Sequence, residues 1–496
     1  MAVTREIVKL ALCSRFAVII LQFVGNVLIP DHEAGVFNPP IASADKFTSF
    51  DKLVFFILGG FRRWDAVYIL HIAEHGYTFE NCVAFFPLYP MIVSLVKVLP
   101  ITVVSQASQL LLFAVGVNLL LFAATAVILF HLGKTVVKDL ELALCAAHLF
   151  CINPASIFMI APYTETLFAF LSFLGMLYIS KKLVWTGAFV LSASALTRSN
   201  GLVSVGFILH YLTQTYIFQG AAIWKAKTGR GNFKELLWPM LHFIFRAVCV
   251  FAIVIAPFAF YQYYIYHLFC NPKKQLIDSV SSEIVVYGRL QRYTMVGDPP
   301  SAWCYYWLPL SYSYVQNQHW GVGLLTYFQV KQIPNFILAA PVIILSFGSC
   351  WDYYQKQKSV CHTLGLIKIM TKKTEHKADG ESQIRGWAQP DVMVYILHLL
   401  FLTVFGCLFM HIQVLTRLLF SASPVIYWFT ADFLLRHTQD QSFWVQNYRG
   451  HANISCWWIL KTIQTKTSKH FKLILCYFLV YFVVGTLAFS NFLPWT

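Results

Sequence analysis

The stretch ASQLLLFAVGVNLLLFAATAVILFHL, residues 107–132, holds no Asp, Glu, Lys or Arg and exceeds the ~20 apolar residues that carry a helix across a bilayer. Lys134 and Lys138 follow it directly, so that end reads as cytosolic by the positive-inside rule. Worked outward with the same rule, the chain becomes polytopic. Phe16 to Pro30 reads as a signal-anchor and first span, behind a cytosolic N-terminus carrying Arg5, Lys9 and Arg15. Residues 31–105 then form a first lumenal loop in which acids outnumber bases. Within it, Ala84 to Leu99 is apolar but short and carries Pro87 and Pro90, which predicts an interfacial or re-entrant helix.

Downstream, spans are expected at Leu140–Ile160, from Glu165 to Lys181, at Leu183–Leu196, from Gly201 to Phe218, and at Ala247–Phe269. A large aromatic lumenal loop, 270–332, follows. Further spans are expected at Pro334–Cys350, Asp391–Phe409, Pro424–Leu435 and Leu473–Phe489. Basic loops alternate with these without a forced flip, giving a single membrane domain over 1–496 of about eleven spans.

Composition agrees. The chain is 58% hydrophobic, 17% aromatic and only 12% charged, which excludes a soluble multidomain protein. The net charge of +15 fits cytosolic loops, so no nucleic-acid partner is implied. The twelve cysteines lie mostly in apolar runs, with no CxxC pair, and read as small core residues rather than a disulfide framework or zinc site.

Ionisable residues at a membrane edge are the candidates for chemistry. Arg62-Arg63-Trp64-Asp65 opens a segment where Asp65, Ile69, Ile72 and Ala73 share one helical stripe that Gly76 would end. Asp65 is either the cap of that helix or a base, and the two roles are compatible; adjacent Arg63 would hold its carboxylate ionised. Tyr163-Thr164-Glu165 starts a span, where Glu165 is either a structural helix-start residue or an active-site acid. Arg198 with Asn200, and Gln413 with Arg417, read singly as arginines that snorkel to lipid phosphate, but they fall on the same side as Asp65 and so together suggest an anion site. Asp31-His32-Glu33 offers too few ligands at unsuitable spacing for a metal, and no metal site is expected. No GxGxxG, P-loop, HExxH or GxSxG context appears.

Pro30-Asp31-His32, Trp64-Asp65-Ala66, Ala84-Phe85-Phe86-Pro87-Leu88-Tyr89-Pro90, Asn153-Pro154-Ala155-Ser156, Tyr163-Thr164-Glu165, Thr197-Arg198-Ser199-Asn200-Gly201 and Gln413-Val414-Leu415-Thr416-Arg417 stand in this order along the chain. Together they resemble the family of the second mannosyltransferase of glycosylphosphatidylinositol (GPI) anchor assembly. The resemblance implies an all-α polytopic C-type glycosyltransferase of the endoplasmic reticulum membrane with a lumenal active site and no cofactor. It implies transfer of an α-1,6 mannose from dolichyl phosphate mannose to a mannosyl-glucosaminyl-phosphatidylinositol acceptor. Asp65 would be the base, Arg198 and Arg417 would hold phosphate, and Asp31, His32, Arg63, Trp64, Tyr163, Glu165, Asn200 and Gln413 would line the substrates. An Asp-x-Asp form seen in some relatives is absent, since Glu33 stands two residues after Asp31.

The sequon Asn453-Ile454-Ser455 falls on the cytosolic side of this topology, so peptide mapping should find Asn453 unglycosylated. A glycan there would overturn the span count.

Overall fold

A computed structural model describes residues 2–41, 47–99, 103–226, 233–271, 280–367, 386–436 and 469–495. The Asn453 sequon and the basic loops around 227–232, 368–385 and 437–468 lie outside the described residues. Among the described residues the regular structure is helical, with one isolated antiparallel bridge between Phe79 and Met295.

Seven helical stretches are long and apolar enough to cross a membrane. They are α1 (Ala2–Leu28), α5 (Gln106–Val136), α9 (Val205–Ala226) with the 3-10 turn before it, α10 (Phe233–Phe269), α13 (Ile333–Lys356), α15 (Met393–Phe409) and α18 (Lys469–Ser490). An eighth crossing is available if α16 (Leu415–Ala422) and α17 (Val425–Arg436), bent 81° from each other, count as one. The first loop, 31–105, contributes α2 (Ser49–Leu58), α3 (Asp65–His75) and α4 (Leu88–Ser94); the large loop contributes α11 (Ser282–Leu290) and α12 (Ser311–Trp320). A short α14 (Lys358–His362) follows α13.

Four expected spans fall short of full crossings: that at Pro424–Leu435 is the 12-residue α17, and three others are also short. α6 (Leu140–Cys151) and α8 (Val184–Ala195) have 12 residues each and α7 (Glu165–Ser180) has 16. At 1.5 Å per residue, 12 residues cover about 18 Å against a hydrocarbon core of ~30 Å. The cause is local. Pro154 disfavours helical backbone at Asn153, and the Asn153 side chain takes over the turn, donating to the Phe150 carbonyl at 2.7 Å and accepting from the Ala155 N–H at 2.9 Å. The chain continues as a 3-10 turn, Ser156–Met159, and reaches Tyr163 and Glu165 without regular helix.

Broken backbone inside an apolar bundle needs partners. Arg15 supplies them. Its guanidinium is fully buried, donates to the Ser156 carbonyl at 2.6 Å, the Cys151 carbonyl at 3.1 Å and the Ser156 hydroxyl at 3.0 Å, and lies 3.9 Å from the centre of the Phe122 ring. Arg15 is therefore not one of the cytosolic charges that the sequence suggests; it is an internal brace between α1 and the end of α6.

On the opposite end, Asp51 ties α2 to the start of α5. It closes a capping box with Thr48 and accepts from the Ser105 N–H at 2.8 Å and the Ser108 hydroxyl at 2.6 Å. Against the cost of burial, those hydrogen bonds hold its carboxyl well below the usual carboxylate range. The segment Leu88–Val98 is a short apolar helix and 3-10 turn with Met91, Leu95 and Val98 outward, as an interfacial helix requires.

The two long loops pack on each other as a second apolar cluster beside the bundle core. The Trp303 indole donates to buried Glu80 at 2.7 Å, and the Asn38 N–H donates to the Tyr287 hydroxyl at 3.0 Å. A disulfide joins Cys270, just past α10, to Cys304. This corrects the reading of all the cysteines as small core residues. The pair was hidden because no short spacing connects two residues 34 apart. An oxidised pair suits a loop in an oxidising compartment.

Two outcomes are expected. Non-reducing peptide mapping should recover Cys270 linked to Cys304, and free thiols at both would place this loop on the reducing side. Arg15→Leu, which strands three buried acceptors, should cost roughly 3 kcal/mol, read as a lower melting temperature in detergent.

Candidate active site

Asp65 is the first residue of α3, placed there by an unusual backbone. Trp64 before it has φ 53° and ψ −126°, a conformation costly for a residue with a side chain. The turn is held from both sides. Arg63 reaches back to Asn26 (2.9 Å), to both oxygens of Asp31 (2.9 and 3.2 Å), and to the carbonyls of Gly59 and Ser490 (both 3.1 Å). Its guanidinium also stacks 4.4 Å from the centre of Phe492. On the other side, the Asp65 N–H donates to the Tyr163 hydroxyl at 3.0 Å. Gly76, at φ 75°, ends the helix where the spacing places its end.

Four chain segments meet at this point. Arg417 of α16 donates through Nη1 to Asp65 Oδ2 at 2.6 Å and to Glu165 Oε1 at 3.4 Å. Arg198, between α8 and the turn before α9, bonds the same Glu165 oxygen and the Thr164 hydroxyl, the latter at 3.1 Å. The Arg417 guanidinium lies 5.4 and 5.5 Å from the centres of Phe158 and Tyr163. Glu165 is fully buried while the Asp65 side chain is 28% exposed. Two carboxylates thus balance two guanidiniums, with the buried acid in the middle and the accessible one at the edge.

Each member is fixed from behind. Asn118 of α5 donates to the carbonyls of Ala161 and Tyr163, holding the loop that presents Tyr163 and Glu165. Gly201 lets the Arg198 turn press on α8, because a Cβ there would stand 2.6 Å from the Ala195 backbone nitrogen. Burial, reinforced by Asp65, pushes the Tyr163 hydroxyl well above its usual range, so it stays protonated.

The expected residues divide. Asp65, Tyr163, Glu165, Arg198 and Arg417 come together. Asn200 and Gln413 stand two residues after Arg198 and four before Arg417 in sequence, and the Asn200 Nδ2, Gln413 Oε1 and Arg417 Nε atoms are buried without a hydrogen bond among the described residues. Arg63 and Asp31 pair with each other at the ends of α1 and α18, so the guanidinium that contacts Asp65 is that of Arg417 rather than that of its sequence neighbour Arg63. Trp64 shapes the turn and touches Phe492 edge-on at 6.0 Å. His32 is exposed and bonds the Asn491 carbonyl through its backbone at 3.0 Å. Sequence reasoning missed Asn118 and Phe158; a single Asn in the middle of the 107–132 run was the available signal. Among the described residues no three His, Cys, Asp or Glu side chains converge to hold a metal ion.

Chemically, Asp65 Oδ1 carries no hydrogen bond among the described residues and sits on an accessible side chain, the requirement for accepting a proton. Arg417 uses only Nη1 on the carboxylates, and its Nε is buried without a partner among the described residues.

A family profile described as "Mannosyltransferase (PIG-V)" matches residues 4–496. The chain belongs to the PIG-V mannosyltransferase family. It is 36% identical to mouse GPI alpha-1,6-mannosyltransferase 2, over 99% of this chain and 98% of that protein. The human protein of the same name is also 36% identical with the same coverage. GPI mannosyltransferase 2 of Drosophila melanogaster is 35% identical over 99% of this chain and 100% of its own length. No solved structure matches.

The charge network sets an expectation for this family member. Glu165→Gln should cost roughly 3 kcal/mol by leaving two guanidiniums to one carboxylate. Arg198→Gln added to it should cost clearly less than the two single changes summed, read from melting temperatures of the four proteins.

Proposed function

We propose that this chain transfers the second mannose of the GPI anchor, in α-1,6 linkage, from dolichyl phosphate mannose to a mannosyl-glucosaminyl-phosphatidylinositol acceptor on the lumenal face of the endoplasmic reticulum membrane. Family membership and the relatives' names support the mannosyl transfer and the linkage. The observation that carries the mechanism is the accessible Asp65 carboxylate held by Arg417 beside unengaged guanidinium donors.

On this reading α6, α7, α8 and the bent α16–α17 pair complete a C-type glycosyltransferase core of about eleven membrane segments. The β-linked donor and α-linked product require one inverting displacement. Asp65 Oδ1 takes the proton from the acceptor hydroxyl, whose oxygen bonds the mannose anomeric carbon as the carbon–phosphate oxygen bond breaks. The electron pair leaves on dolichyl phosphate. Arg417 Nε and Arg198 meet the charge growing there, in surroundings where a guanidinium–phosphate contact counts for more than in water. Asn200 and Gln413 offer a donor and an acceptor to the sugars. The exposed rings of loop 270–332, among them Tyr305, Tyr306 and Trp307, suit sugar faces or the headgroup layer.

Membranes carrying wild-type or Asp65→Asn protein, given labelled dolichyl phosphate mannose and the one-mannose precursor, test this. The wild type should make the two-mannose product, and Asp65→Asn at equal abundance should be slower by roughly 10²–10⁴-fold. Full activity in Asp65→Asn would reduce Asp65 to a helix-start residue.

A further inference from the structure

A shallow recess, open to solvent, lies across α3 from Asp65. Asp65, Ile69 and Ile72 follow one stripe of that helix, whereas Leu70, His71 and Glu74, which line the recess, follow the opposite one. Phe55 of α2 and Leu110 of α5 build its apolar wall, and Arg62, His71, Glu74 and His75 supply its polar groups. Because α5 crosses the membrane and its first turns reach the recess, the recess sits where a span meets the headgroup layer. Beside it, α2 turns Phe50, Leu53, Phe56 and Ile57 outward, an apolar surface suited to acyl chains.

The charges are unbalanced. Arg62 donates to Asn38 Oδ1 at 3.0 Å and to the Pro39 carbonyl at 3.4 Å, with no carboxylate at ion-pair distance among the described residues. Lys97 caps the last turn of α3, donating to the carbonyls of Ala73 and Glu74 at 2.8 and 2.7 Å. Glu74, 3.7 Å from His75, is the acid that answers these two cations. Burial, together with neighbouring His75 and Arg62, lowers the His71 pKa well below its usual value. Burial and Lys97 lower that of His75. The two rings are therefore neutral near pH 7, and among the described residues Arg62 is left as the one cation of the lining, without an ion pair. A cation over an apolar wall, next to a carboxylate and a neutral imidazole that can bond hydroxyls, is the chemistry of a phosphorylated polyol on a lipid.

We propose that this recess holds the phosphodiester and cyclitol ring of the acceptor lipid, with Arg62 on the phosphate and Glu74 and His75 on ring hydroxyls. This rests on the acceptor named above. Arg62 stands three residues before Asp65, so the path from recess to base runs around the first turn of α3. The distance is about one helix thickness, ~10 Å, and the glucosamine and mannose of the acceptor bridge it.

Wild-type, Arg62→Gln and Arg62→Lys proteins, purified in detergent, are titrated with phosphatidylinositol and assayed for mannose transfer to acceptors with and without the phosphodiester. Arg62→Gln should weaken lipid binding about tenfold and raise the KM for the phosphodiester acceptor about tenfold, with Arg62→Lys recovering part of both. Its kcat, and its KM for the phosphate-free acceptor, should match the wild type, which a merely misfolded variant would not show. Equal lipid binding by wild type and Arg62→Gln overturns the site. Weakened binding with an unchanged acceptor KM overturns the acceptor as occupant in favour of a structural anionic lipid. Lipid binding lost in Arg62→Gln while even the wild type transfers no mannose would support the site and count against the proposed reaction instead.

Discussion

The Arg417 guanidinium, set between the Asp65 and Glu165 carboxylates, is the contact on which the arrangement of this protein depends. Two acids brought this close in an apolar bundle would repel, and one would lose its charge. A guanidinium between them, with Arg198 closing the far side of Glu165, turns the repulsion into a neutral cluster. Removing any member leaves a buried charge without its answer, and so the cluster must be assembled whole. Both acids are also first residues of helices, α3 and α7, where exposed N–H groups favour negative charge.

That demand explains why so much of the bundle departs from regular spans. A continuous helix from Leu140 to Ile160 would carry its polar backbone past the site and present nothing. Breaking it at Asn153-Pro154 frees a loop that brings Tyr163 and Glu165 to Asp65, and the break is tolerated because Arg15 and Asn118 satisfy the released carbonyls. Trp64 is held in a costly conformation for a similar reason, pinned between the Arg63 cluster and the Tyr163 hydroxyl.

Much of this was legible in the sequence. Charge-free runs marked the seven long apolar helices, the stripe from Asp65 together with Gly76 marked the two ends of α3, and polar residues at membrane edges singled out Glu165, Arg198 and Arg417, which the fold brings together. Where the reading failed, the missing information was three-dimensional. Arg15 looks like a flanking cytosolic charge because hydropathy cannot show that a broken helix lies opposite it. Arg63 is adjacent to Asp65 in sequence, but the left-handed turn at Trp64 sends their side chains to different partners. Cys270 and Cys304 meet only because the large loop folds back on the end of α10.

The network also answers a difficulty in assigning Arg417 two tasks. A guanidinium spent on carboxylates has little left for a leaving phosphate, and a carboxylate held by a guanidinium makes a poor base. Here both carboxylates share a single nitrogen, Nη1, and only one oxygen of Asp65 is held. Arg417 Nε stays buried and unengaged among the described residues, and Asp65 Oδ1 stays open on an accessible side chain. On the proposed reaction, negative charge grows on the phosphate as Asp65 takes up a proton and loses its own. The attraction of Arg417 for Asp65 falls at the moment its attraction for the leaving oxygen rises. The summed charge of cluster and phosphate is therefore unchanged by the transfer, the proton gained at Asp65 matching the negative charge gained on the leaving phosphate, a balance that a preorganised low-dielectric site favours.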